Sequence, residues 1–161
     1  MIKKALFLST VFLTTLFGLE KDYKIYKDAL KKENYLKAKV YLLKSLDSAF
    51  DNGSTKKAAI IYNKIGNLYS KTGEYYKSIE YYKLSLKLNY AQKDVNEVLL
   101  LKNYNNLSNS YSKIGNIFKA FKFSYKAVAV ADKRYGKNSK RTKEIANNAK
   151  NLQSRLIEAS I

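Results

Sequence analysis

From residue 21 onward the apolar side chains recur at i, i+3, i+4 and i+7, the spacing of a helix with one buried face. Residues 21–32 bring Tyr23, Ile25, Tyr26, Ala29 and Leu30 together in this way. The next stretch, to about Phe50, does the same with Tyr35, Ala38, Tyr41, Leu42 and Leu46, and Asn34 stands where a cap is needed. Asp51, Asn52 and Gly53 form a turn signal. Ser54 or Thr55 opens a third helix to about Lys71, Gly73 breaks it, and a fourth runs over about 75–88. Asp94, with Glu97 three residues on, reads as a capping box for a fifth helix over about 95–113. Gly115 and Asn116 separate it from a sixth, and Gly136 stands where a positive-φ residue terminates a helix. Asn138 or Ser139 starts a seventh that reaches close to Ile161. No stretch alternates apolar and polar residues between hairpin turns, so the pattern predicts an all-α chain.

The helices themselves repeat. YNKIGNLYSKTG from Tyr62, YNNLSNSYSKIG from Tyr104 and ANNAKNLQSR from Ala146 stand 42 residues apart at each step. A fixed period of this length marks a stacked array, because one helix pair cannot bury its apolar face alone. The prediction is an α-solenoid of antiparallel helix pairs with about 3.5 repeats, occupying residues 20–161. The pairs fall at about 21–50, 55–89 and 95–135, with a final helix at 139–160.

Residues 1–19 read differently. Lys3 and Lys4 precede an uncharged run, Ala5 to Leu19, in the layout of a secretory leader. The run of 15 residues is short of the roughly 20 that a spanning helix needs. Gly18 suits a cleavage position, although Leu16 does not. The expectation is an exported protein, periplasmic or secreted, or a membrane-anchored one if the segment is retained.

Composition removes most catalytic chemistry. There is no cysteine and no histidine, hence no thiol nucleophile, no thiolate or imidazole metal ligand and no imidazole base. No phosphate-cradling glycine loop and no nucleophile–base pair appears. Neither an enzyme nor a cofactor is expected. Lys and Arg total 31 against 13 Asp and Glu, a formal charge of +18. Abundant Lys, Asn, Tyr and Ile fit AT-rich coding, but Glu codons are AT-rich too, and acids are scarce. The imbalance therefore points to anionic partners or surroundings.

The repeat resembles the tetratricopeptide-repeat (TPR) family. The positions that carry the likeness are Tyr62, Ile65, Gly66, Tyr69, Gly73, Tyr75, Ser78, Tyr82 and Ser85, then Tyr104, Leu107, Ser108, Tyr111, Gly115, Ile117, Ala120, Ser124 and Ala127. A weaker copy keeps Tyr35, Ala38, Leu42 and Ser45, and a final half-copy keeps Ala146, Ala149 and Gln153. The proline that usually closes each repeat is missing, and the period exceeds the family's roughly 34 residues, which implies longer helices. The tyrosines at repeat positions read as core.

One polar stripe recurs on the first helix of each pair. It comprises Asn63, Asn67, Ser70 and Lys71, then Asn105, Asn109, Ser112 and Lys113, then Asn147, Asn151, Ser154 and Arg155. Spacings of i, i+4, i+7 and i+8 put each set on one face. The first pair offers Lys24, Lys27 and Lys31 instead. The resemblance implies that first helices line a concave groove. There an asparagine can pair with both groups of a peptide backbone, and a lysine or arginine can hold a carboxylate. The expected function is a non-enzymatic binding module for a protein or peptide, acidic or with a free C-terminus. Nucleic acid is not expected, and self-association through the last helix is open. The alternatives are a basic adaptor at an anionic membrane or wall surface through the second-helix lysines, or a sensory fragment of a signalling system.

Overall fold

In the computed structural model, residues 21–159 are described. Helix α1 covers 21–31 of them. The others are α2 (Tyr35–Asp51), α3 (Thr55–Lys71), α4 (Tyr75–Tyr90), α5 (Glu97–Lys113), α6 (Ile117–Tyr135) and α7 (Lys140–Glu158). No strand occurs among the described residues.

Local chemistry sets the helix starts. The Asn34 side chain accepts the Lys37 N–H at 3.0 Å, Asn116 does the same for Lys119, and Ser139 for Thr142 at 3.1 Å. Each satisfies an N–H that has no partner inside its helix. The start of α5 differs from the expected capping box. Asp94 is exposed, and Asn96 accepts from Leu99 N–H at 3.0 Å. Buried Asn89 explains the choice, since its amide donates to the Asn96 carbonyl and accepts the Asn96 N–H, both at 3.0 Å. That clamp closes the linker one residue before the helix. The turns inside the second and third pairs use Gly73 (φ 80) and Gly115 (φ 78), whereas the first pair places Glu33 at φ 53. A left-handed non-glycine residue costs about 1–2 kcal/mol.

Consecutive helices pack against one another from α2 to α7, and α3 also meets α5 directly. The result is an all-α solenoid of helix pairs. Small residues recur in the packing: Ala38, Ser78 and Ala120 are fully buried at matching positions of α2, α4 and α6. Aromatic stacks repeat beside them. Tyr69 lies on Tyr81 with centroids 5.3 Å apart, and Tyr111 lies on Phe123 at 5.5 Å. Two apolar cores result, one from Tyr26 through Tyr69 and one from Ile79 through Leu152. Helix α7 buries Thr142, Ile145, Ala149 and Leu152 and leaves its remaining faces largely polar and exposed.

Candidate functional site

The α3–α5 and α5–α7 junctions between first helices are built differently, although their sequences echo each other. Between α3 and α5 the polar stripe is drawn into the packing. Buried Asn63 donates to Asn103 at 2.8 Å, Asn103 donates to Ser85 at 2.8 Å, and Ser85 donates to the Ala59 carbonyl at 2.7 Å. One turn further along, the Asn67 carbonyl oxygen accepts from both the Tyr82 hydroxyl (2.9 Å) and the Asn106 amide (2.7 Å). Tyr82 is 1% exposed, and its ring lies directly against Gly66. Burial holds the Tyr82 phenol well above the ordinary tyrosine range, against an opposing hydrogen bond with Ser70.

Between α5 and α7 the same positions leave space. No Cα pair from these two helices comes within 8 Å. A pocket of about 330 Å³ opens between them, lined by Asn105, Ser108, Asn109, Ser112, Ser124, Ile145, Asn148, Asn151, Leu152 and Arg155. Ser108 donates to the Ala120 carbonyl at 2.8 Å and Ser124 to the Phe121 carbonyl at 2.7 Å, so both floor hydroxyls are tied down. One hydrogen bond spans the two helices, from Arg155 Nη1 to the Ser112 hydroxyl at 3.1 Å. Asn109 and Asn151 are exposed along the pocket.

The predicted stripe is thus divided by the fold. Asn105, Asn109, Ser112, Asn151 and Arg155 meet in the pocket. Asn63, expected in a groove, is instead 4% exposed and belongs to the α3–α5 interface, because Asn103 of the next pair reaches it. Asn67 is half-buried with its carbonyl oxygen taken twice. Ser70 is half-buried and Lys71 exposed; neither lines the pocket, nor does exposed Lys113. Asn147 and Ser154 are exposed outside it, and Asn148 occupies the pocket wall. Lys24, Lys27 and Lys31 are exposed on α1, with Lys27 over the Tyr23 ring at 4.9 Å. Asn148 and the two floor serines were not singled out as binding residues. The signal for Asn148 was its place one period after Asn106.

Comparisons with known proteins agree with this architecture. A tetratricopeptide-repeat sequence model matches residues 59–92, the stretch that holds α3 and α4. The fold is similar to that in the crystal structure of BtubC (BKLC) from P. vanneervenii, with a TM-score of 0.75 at 18% identity. The fold is TPR-like. The similarity covers 92% of this chain and 66% of that one, so this chain spans just under two thirds of the BtubC chain's length. No curated protein matches the sequence.

The same similarity corrects the expectation of export. Residues 1–19 lie outside the described residues, and no described helix is long and apolar enough to cross a membrane. The secretory leader, the periplasmic or secreted location and the retained anchor are all withdrawn. Among the described residues no group of three or more Asp or Glu is placed to hold a metal ion.

Proposed function

We propose that this chain is a non-enzymatic binding scaffold that takes an extended peptide segment of a partner protein across the α5–α7 junction. The observation that carries the reading is the opening of that junction. Asn105, Asn109 and Asn151 make no side-chain hydrogen bond there, whereas at α3–α5 Asn63 is paired with Asn103 and Asn67 with Asn106. Asn105, Asn109 and Asn151 offer amide donors and acceptors to a peptide backbone, and Arg155 at the pocket's edge favours a carboxylate. The excess of Lys and Arg over acids, +18 in all, steers acidic segments toward the array.

The test is a random peptide display selection on the folded protein, followed by affinity measurement with variants. Asn109→Ala with Asn151→Ala should weaken selected peptides roughly tenfold, as expected for two lost hydrogen bonds. Asn147→Ala, outside the pocket, should leave affinity unchanged. Undiminished binding by the double variant rules the pocket out.

A second reading has one observation in its favour. Leu36, Tyr76 and Phe118 project from the first turns of α2, α4 and α6, 76%, 72% and 63% exposed, and each is followed by an exposed lysine (Lys37, Lys77, Lys119). Apolar protrusions among cations suit an anionic lipid surface. Sedimentation with phosphatidylserine vesicles, absent with phosphatidylcholine alone, distinguishes it from the peptide reading.

A further inference from the structure

The pocket corresponds to the space that a tyrosine ring fills in the preceding repeat. Tyr82 rests on Gly66, donates its hydroxyl to Asn67, lies by Ser70, and shares Asn67 with Asn106. Advancing each by the 42-residue step gives Ser108, Asn109, Ser112 and Asn148, and Tyr82 itself becomes Ser124. All five line the pocket. The polar surroundings of the ring are retained in Asn109, Ser112 and Asn148, Gly66 gives way to Ser108, and the ring is missing. Two further changes make the vacated space better suited to an aromatic group. Asn103, which hydrogen-bonds across the α3–α5 interface, and Ser110, which pairs with Ser78 of α4, are matched in the pocket wall by Ile145 and Leu152.

We propose that the α5–α7 pocket receives a tyrosine side chain of the bound partner, its hydroxyl donating to Asn109 and its ring set off from the position Tyr82 takes by the β-carbon of Ser108. This rests on the peptide-binding reading above and names the side chain that anchors the peptide. The pocket's 330 Å³ holds a phenol ring with room for the attached backbone, which then meets Asn105 and Asn151 at the rim. Ile145 and Leu152 contribute apolar walls, and the tied-down hydroxyls of Ser108 and Ser124 form a floor that needs no further partner. A leucine side chain would leave Asn109 without its donor. A phenylalanine would fill the space but forgo the hydroxyl bond.

The probe is N-acetyl-L-tyrosinamide, titrated into the isotopically labelled protein while backbone amide shifts are followed. Saturable shifts are expected at Asn105, Ser108, Asn109 and Asn148, with the phenylalanine analogue roughly three- to tenfold weaker and the leucine analogue weaker still. Asn109→Ala should erase the tyrosine-over-phenylalanine preference while leaving the helical spectrum intact. Ser108→Gly with Ser124→Tyr recreates the Gly66–Tyr82 pair and should plug the pocket from inside, abolishing the shifts. Absent shifts, equal affinity for the leucine analogue, or full binding by the plugged variant would each overturn the proposal. Display-selected peptides separate the two ideas. Peptides that lose affinity with Asn109→Ala and Asn151→Ala but lack tyrosine and tolerate the plug overturn the tyrosine assignment and leave the groove standing. Peptides indifferent to the asparagines remove the groove itself.

Discussion

At Gly66 a side chain has nowhere to go. A β-carbon placed there would stand 2.5 Å from Tyr82 Cε1 and 2.6 Å from Cδ1. The ring cannot swing aside, because it is 1% exposed and its hydroxyl is held by Asn67. In the next repeat the corresponding residues are Ser108 and Ser124, a small residue facing a small residue. Glycine at 66 is thus a consequence of tyrosine at 82 and not a helix-breaking signal, and its cost of roughly 1 kcal/mol in helix propensity is offset by the ring it admits. Gly66→Ala should destabilise the protein by about 1–3 kcal/mol, the usual range for overpacking a core. Tyr82→Ser should itself be destabilising, but adding Gly66→Ala to it should then cost nothing or slightly stabilise, because the methyl finds space. Chemical denaturation of the four proteins in this cycle checks the coupling. Additive effects would show that ring and glycine do not compete for one volume.

Among the elements, the contrast between α3–α5 and α5–α7 governs what the array can bind. The chain from Asn63 through Asn103 and Ser85 to the Ala59 carbonyl ties three helices together inside the protein. Every member is satisfied, and no buried side-chain polar atom among the described residues lacks a partner. Asn103→Ala would leave the Asn63 amide without its acceptor and the Ser85 hydroxyl without a donor, at about 1–3 kcal/mol for each stranded group. A loss of about 2–4 kcal/mol in denaturation is expected, with the peptide site largely spared because it lies at the other junction; a loss below about 0.5 kcal/mol would mean that water replaces the amide. How far the sequence foretold this differs by element. Caps at Asn34 and Asn116, turns at Gly73 and Gly115, and the tyrosines Tyr69, Tyr82, Tyr104 and Tyr111 in the core were legible, since those depend on residues within a few positions along the chain. The partition of the asparagine stripe was not. Repeat arithmetic aligns Asn63 with Asn105, but the packed partner of Asn63 is Asn103, a register fixed by how one helix seats on the next. Nor does a serine at 124 announce a pocket until the ring of Tyr82 shows what that position fills elsewhere.

For the molecule as a whole, the scarcity of acids leaves few conventional ways to neutralise the lysines. Three ion-pair contacts occur among the described residues, with Glu74 holding Lys77 and Glu97 reaching Lys133 and Arg134. Aromatic faces take over part of the role. Lys39 and Lys77 sit over Tyr69 at 5.2 and 5.3 Å, and Lys119 sits over Tyr111 at 5.4 Å, repeating the arrangement one pair later. The tyrosines therefore serve the fold both as core and as cation partners, and the pH range of stability should follow them. On the acid side, hydrogen bonds from Lys77 and Lys133 lower the carboxyls of Glu74 and Glu97. Their contribution is present above the ordinary carboxylate range, about 4, and fades as pH falls through their lowered values. With no histidine in the chain, little should change between about pH 5 and pH 9. On the alkaline side, burial, with Tyr23 adding to it, pushes the Tyr26 phenol up to about 12, and burial also raises Tyr81, Tyr82 and Tyr104. A raised phenol favours the neutral folded form, so its contribution is whole below the unfolded value of about 10 and is lost as pH rises through the folded one. Stability measured by urea denaturation should be level to about pH 9 and decline from about pH 10 toward 12. Tyr26→Phe removes one of the groups responsible without removing its ring, and should make that decline shallower. A decline of equal slope in the variant, or a plateau that continues to pH 12, would show that the buried phenols do not set the alkaline limit.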